Sequence, residues 1–165
     1  MITRAIPEEK RNIEHIEEVL DYYLDVYENL KTEKTRPYKG ITDLLESLTE
    51  KNIDLAVVTN KNDFLAQKCI KNFLPQINFK FVLGQKEGFP TKPDPYMVHK
   101  TIEIMGGKPK NYLFLGDTPV DIQTALNAGI KPVGVTWGFR PEKELYDAGA
   151  WKIINRPEEL IDLLD

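Results

Sequence analysis

The chain has 165 residues, 41% hydrophobic and 29% charged, which suits a soluble globular protein with a full apolar core. Its formal net charge of -4, with no basic block, argues against nucleic acid as a partner. No apolar run is long enough to span a bilayer, and the N-terminus lacks the apolar stretch of a signal peptide. The single cysteine, Cys69, excludes an internal disulfide framework and fits a reducing cytoplasm.

Residues 1–36 read apart from the rest. Ile13, Ile16, Val19, Leu20, Tyr23, Leu24, Tyr27 and Leu30 recur at steps of three and four, one apolar stripe on a long amphipathic helix. The tyrosines between Asp21 and Tyr27 read as packing residues, or as a substrate-facing set if this helix closes over a site. From Pro37 onward the pattern alternates. A helix over 41–48 presents Leu44, Leu45 and Leu48. The β-branched run 53–59 predicts a strand buried on both faces of a parallel sheet. The next helix turns Phe64, Leu65, Cys69 and Phe73 inward, and 79–83 predicts a second strand. Asp94 and Pro95 read as N-cap and first residue of a helix that runs through Met105 and stops at Gly106-Gly107. A third strand over 112–115 leads to Thr118-Pro119, which caps a helix ending at Gly129. A fourth strand over 132–135, a helix opened by Pro141, a fifth strand over 151–154 and a closing helix over 157–164 complete the chain.

Such alternation implies right-handed crossovers and a parallel sheet with helices on both faces. Ligands of these sheets sit at the carboxyl ends of the strands. The first strand ends in Thr59-Asn60-Lys61, a hydroxyl and backbone N–H groups suited to an anion; taken alone, Thr59 and Asn60 also read as helix caps. Thr91-Lys92-Pro93-Asp94-Pro95 follows the second strand. Its prolines fix the backbone and aim Lys92 at phosphate charge, although an exposed lysine in a proline-rich loop is the common alternative. The third strand ends in Gly116-Asp117-Thr118-Pro119-Val120-Asp121. Two carboxylates so placed can hold Mg²⁺, one directly and one through water or a hydrogen bond. The helix dipole explains Asp121 without a metal but leaves Asp117 unexplained, because Thr118 already suits the cap. His15 and His99 lack ligand spacing, and Cys69 reads as a small core residue. Trp137 and Phe139 read as packing residues, Arg140 as a solvated charge.

Taken together, Val57-Val58-Thr59-Asn60-Lys61, Lys92-Pro93-Asp94-Pro95, Leu115-Gly116-Asp117-Thr118-Pro119-Val120-Asp121 and Gly134-Val135-Thr136-Trp137-Gly138-Phe139-Arg140 resemble the haloacid dehalogenase superfamily, most closely its phosphoglycolate-phosphatase-like members. Arg36-Pro37-Tyr38-Lys39-Gly40 looks like the return from a helical cap to the core. The resemblance implies a Rossmann-like α/β core over 37–165 with a partial helical cap over 1–36. It implies Mg²⁺-dependent hydrolysis of a small phosphorylated metabolite through an aspartyl-phosphate. Thr59 and the Asn60 backbone N–H would bind the phosphoryl group, Lys92 would neutralise charge on it and on the nucleophile, Asp117 would ligate Mg²⁺, and Asp121 would support the metal shell. The family's first motif, Asp-x-Asp-Gly-Thr, supplies nucleophile and general acid from a central strand. No Asp-x-Asp occurs in these 165 residues. The expectation is therefore a core lacking its first strand, between the strands ending at Thr59 and Leu115, and a chain that is inactive by itself. A phosphosugar mutase of the same superfamily, or a non-catalytic protein that binds phosphate or a partner, shares the motifs present. The sequence carries no signal of oligomeric state.

Overall fold

The computed structural model describes residues 6–29 and 35–164. The chain divides into two units, 1–35 and 36–165. In the first, a short 3₁₀ turn over Glu8–Lys10 precedes helix α1, Ile13–Asn29. The Asn12 side chain accepts the His15 N–H at its start, and His15 itself lies 3.2 Å from Glu18. The predicted stripe is only partly covered. Ile16 and Val19 are half-buried, whereas Ile13, Leu20, Tyr22 and Tyr23 are exposed. Tyr22, 70% exposed, is therefore not a packing residue. The burial of Leu24 and Tyr27, and all of Leu30, lie outside the described residues.

The second unit alternates as its sequence predicts: α2 (Ile41–Glu50), β1 (Ala56–Asn62), α3 (Asp63–Phe73), β2 (Phe81–Gln85), α4 (Tyr96–Met105), β3 (Leu113–Gly116), α5 (Pro119–Asn127), β4 (Lys131–Val135), α6 (Glu142–Asp147) and β5 (Lys152–Ile154). The closing segment Pro157–Leu163 is a 3₁₀ helix. Every strand pairing is parallel, but the strands form two ladders, β1–β2 and β3–β4–β5. The division falls between β1 and β3. Among the described residues each of these strands has a ladder partner on one side only.

Alternation along β4 explains how both sheet faces are covered. Val133 and Val135 join Leu44 and Leu48 of α2 with Ile154 and Leu160 in one buried cluster. On the other face of Gly134, a Cβ would lie only 3.2 Å from the Leu145 Cβ of α6. A second cluster sets Val98 and Ile102 of α4 against Ala125, Ala128 and Ile130, and Val58 of β1 and Phe114 of β3 pack on it from either side of the division. Helices α4 and α5 thus hold the two ladders together. At about 25 cal/mol per Å² of apolar surface removed from water, such clusters are the main stabilising term.

Three local readings differ from expectation. Phe64 is exposed and sits under Lys68, while Leu65 and Ala66 turn inward. Helix α4 begins at Tyr96 rather than Pro95; Asp94 still serves its start by accepting the Tyr96 N–H at 2.8 Å. β1 runs on through Asn62, and Asn62, not Thr59 or Asn60, caps α3 by accepting the Leu65 N–H.

Candidate active site

β1 pairs Val58 with Leu83 and Asn62 with Gln85, so four residues of one strand span two of the other. The surplus is a bulge at Thr59-Asn60-Lys61, a device that re-aims side chains at a strand end. Within it, Thr59 Oγ1 accepts the Lys61 N–H at 3.1 Å. Asn60 reaches across to the Lys92 loop. Its Oδ1 accepts the Lys92 N–H at 2.8 Å, and its amide donates to the Lys92 carbonyl at 3.2 Å. The peptide between Lys92 and Pro93 is cis. Asn127 of α5 grips the same loop by donating to the Pro93 carbonyl at 2.9 Å. The loop is thus pinned from β1 and from α5.

Held in this way, Lys92 turns inward instead of pointing into solvent. Its ammonium lies 2.6 Å from Asp121 Oδ1, donates at 3.4 Å to the Val58 carbonyl and lies 5.9 Å from the centre of the Phe114 ring. The Lys92 side chain is 12% exposed and that of Asp121 9%, so the pair is nearly dry. Val58 belongs to β1 and Phe114 to β3. Lys92 therefore occupies the division between the ladders.

Asp121 has a second set of partners. Thr118 caps α5, and the two residues form a reciprocal capping box: Thr118 N–H and Oγ1 donate to Asp121 Oδ2 at 3.1 and 2.7 Å, and Thr118 Oγ1 lies 3.4 Å from the Asp121 N–H it accepts. A Cβ on Gly116 would lie 2.1 Å from the Asp121 Cβ, so only glycine lets β3 end flush against this side chain. Both Asp121 oxygens are engaged.

Asp117, the next residue after β3, is built differently. Its Oδ2 accepts the Phe139 N–H at 3.0 Å, and Oδ1 has no partner among the described residues. Asp117 lines a cavity of about 300 Å³ with Tyr38, Ile41, Leu115, Gly116, Val135, Trp137 and Gly138. Thr59, Asn60 and Lys92 do not line it. The structure thus joins Asn60, Lys92 and Asp121 by direct contact, with Thr59 next to Asn60 and Asp117 at the same end of β3.

Mg²⁺ takes oxygen ligands, commonly one or two carboxylates completed by water and substrate phosphate. Asp117, with one oxygen unclaimed, fits a direct ligand. Asp121, saturated by Lys92 and Thr118, fits a supporting position. Among the described residues no three His, Cys, Asp or Glu side chains gather as a metal site.

Two features escaped the sequence reading. The Asn60 side chain, not only its backbone, shapes the site, and its signal was the asparagine itself, whose amide can serve a backbone donor and acceptor together. The turn Trp137-Gly138-Phe139 contacts Asp117 through its backbone. Trp137 does pack on the first core cluster, but Phe139 is 84% exposed and is no packing residue. Arg140 is exposed, 3.8 Å from Glu144.

The family profile described as haloacid dehalogenase-like hydrolase matches residues 2–135. A phosphoglycolate phosphatase of Aquifex aeolicus is 31% identical over 163 residues, covering 98% of this chain and 75% of that protein. An N-acetylmuramic acid 6-phosphate phosphatase of Pseudomonas aeruginosa is 30% identical over 151 residues, 91% of this chain and 67% of the relative. The crystal structure of a proposed phosphoglycolate phosphatase from Lactobacillus delbrueckii superposes with a TM-score of 0.83 at 32% identity, covering 98% of this chain and 65% of that one. With the parallel α/β core and a match over most of its length, the chain belongs to the haloacid dehalogenase-like hydrolase family.

Proposed function

We propose that the chain carries most of the active site of a Mg²⁺-dependent phosphomonoester hydrolase acting on a small phosphorylated metabolite, of the phosphoglycolate-phosphatase kind. The nucleophilic aspartate that would form the aspartyl-phosphate is not among its 165 residues. The observation that carries the reading is the buried Lys92–Asp121 pair at 2.6 Å, set in the division between β1 and β3 and pinned by Asn60. A lysine held inward at a strand end, with its charge partly balanced by one carboxylate, is suited to a phosphoryl group and to a second carboxylate arriving in the same gap.

In this reading Thr59 and the Asn60 N–H bind phosphoryl oxygens, and Lys92 stabilises the negative charge on them and on the nucleophile. Asp117 holds Mg²⁺, with Asp121 orienting Lys92 and the metal shell. The bound cation would neutralise phosphate charge. Residues 1–36 belong to a partial helical cap and 37–165 to a core without its first strand. The cysteine usage favours a cytoplasmic setting.

The test is hydrolysis of 2-phosphoglycolate and of an aryl phosphate, with and without Mg²⁺, by the protein extended upstream to a strand bearing Asp-x-Asp. Lys92→Ala is expected to lower kcat by about 10²–10³, the scale for losing one group that stabilises transition-state charge. Undiminished turnover in that variant sinks the assignment. The absent Asp-x-Asp favours a second reading, a non-catalytic phosphate-binding protein. Phosphate binding without turnover in the extended protein would select it.

A further inference from the structure

The backbone of the turn after β4 closes directly on Asp117. A Cβ built on Gly138 would lie 2.2 Å from Asp117 Cβ, 2.3 Å from Oδ2 and 2.6 Å from Cγ. The first of these distances decides the matter. A rotation about χ1 moves Oδ2 but leaves Cβ where the backbone of β3 puts it. An alanine at 138 can be accommodated only by parting the turn from the end of β3, by roughly 1 Å to regain ordinary contact. Conformation does not call for glycine here, because Gly138 is not among the residues with positive φ. Space does. Immediately beyond it, the Phe139 N–H donates to Asp117 Oδ2 at 3.0 Å. One residue, by lacking a Cβ, lets the turn close on the carboxylate, and the next fixes which oxygen faces it.

We propose that Trp137-Gly138-Phe139 is a backbone clamp that sets the Asp117 carboxylate, leaving Oδ1 alone for a cation, and that Gly138 is a positioning residue of that cation site. The inference rests on the reading of Asp117 as the metal ligand. It explains why a strand-end loop bears glycine between two aromatic residues: Trp137 anchors the turn in the core, while Phe139, 84% exposed, contributes its amide and not its ring. Partners that orient a metal ligand typically change metal affinity 10- to 100-fold when lost.

The experiment reads cation binding directly. Tb³⁺ luminescence sensitised by Trp137, which lines the same cavity as Asp117, is titrated with Mg²⁺ as competitor. Exchange of the Phe139 amide is followed by NMR. The proteins are the unaltered chain, Asp117→Ala, Gly138→Ala and, as a neighbouring control, Arg140→Ala. Expected are binding by the unaltered chain and by Arg140→Ala, loss in Asp117→Ala, and at least tenfold weaker binding in Gly138→Ala. The Phe139 amide should exchange faster in both Asp117→Ala and Gly138→Ala. Binding by Gly138→Ala at unaltered affinity overturns the clamp while leaving the metal reading intact. Absence of any Asp117-dependent binding in the unaltered chain overturns the metal reading and, with it, the role given to Gly138. If Gly138→Ala does not fold, Phe139→Pro removes the donor, with Phe139→Ala as the control for the lost ring, and unaltered affinity in Phe139→Pro overturns the proposal equally.

Discussion

Lys92 and Asp121 are 29 positions apart, and their contact is what gives the site its electrostatic character. A nearly buried ion pair costs desolvation that is recovered only if every remaining donor and acceptor is served. Here Asp121 is served by Thr118, and the ammonium by the Val58 carbonyl. Lys92→Met is expected to cost about 3 kcal/mol, since it strands a buried carboxylate. Urea unfolding measures it, and a loss below about 1 kcal/mol would show that Asp121 finds water instead. Asp121→Asn in the same background should recover part of the loss by removing the unpaired charge. At this scale the sequence was legible where a residue's chemistry is local. Thr118 and Pro119 read as a cap, and they are one. It was illegible where a residue acts on another element. Asn60 looked like a cap and instead grips the Lys92 backbone, because the bulge in β1 turns it toward that loop and leaves Asn62 to cap α3.

Elements were predicted from period and punctuation, and those signals survive wherever packing does not compete with them. Strand ends shifted by up to three residues. The ladder continues while partners exist, and β1 and β2 keep pairing through Asn62 and Gln85 after the apolar run has stopped. The bulge that extends β1 depends on Gly84. A Cβ there would meet Asp63 Cα at 2.5 Å, Lys61 O at 2.6 Å and Asp63 N at 2.8 Å, all backbone atoms that no side-chain rotation relieves. The Gly84 N–H also donates to Asp63 Oδ1, tying β2 to the first residue of α3. Gly84→Ala is therefore expected to destabilise by about 1–3 kcal/mol, the usual scale for overpacking. It should also broaden the NMR signals of Thr59 and Asn60 specifically. A variant with unaltered stability and unaltered signals in the bulge would show that β1 and β2 part without effort. At the C-terminal 3₁₀ helix, Glu159 receives Arg156 and the Asn155 N–H, and its carboxyl sits below the ordinary value of 4.5, chiefly through the Arg156 hydrogen bond. A lowered carboxyl favours the fold above its unfolded value and loses that contribution as pH falls through the folded value. Fraying of Pro157–Leu163, followed by amide exchange, should begin below about pH 4.5 and depend less on pH in Glu159→Gln, where Glu158 still pairs with Arg156.

The 36–165 unit is organised around the division between its two ladders. The strand pattern predicts parallel β strands, and every strand pairing among the described residues is parallel. The fold has its break between β1 and β3, bridged by α4, α5 and the side chain of Lys92. Sequence alone could not tell how that break is filled, because a division in a sheet is a property of pairing and not of any one segment's period. Within it the chain offers a cation, a hydroxyl, backbone donors and carboxylates, but among the described residues no second carboxylate is seen in contact with Lys92. On the proposed assignment Asp117 and Asp121 serve the cation and Lys92, so none of these groups is left to attack phosphorus or to act as proton donor. Loss of a nucleophile typically forfeits several orders of magnitude in rate. The 165-residue chain by itself is therefore expected to bind phosphate weakly and to hydrolyse 2-phosphoglycolate no faster than about 10⁻⁴ of the rate of the extended protein. The measurement needs purified chain of verified mass, assayed with Mg²⁺ beside the extended protein and beside that protein with the first aspartate of its Asp-x-Asp replaced by asparagine. Comparable turnover from the 165-residue chain would refute the expectation and place the nucleophile among the residues described above. Activity restored by extension and abolished by the asparagine would fix the gap between β1 and β3 as the place where the reaction is completed.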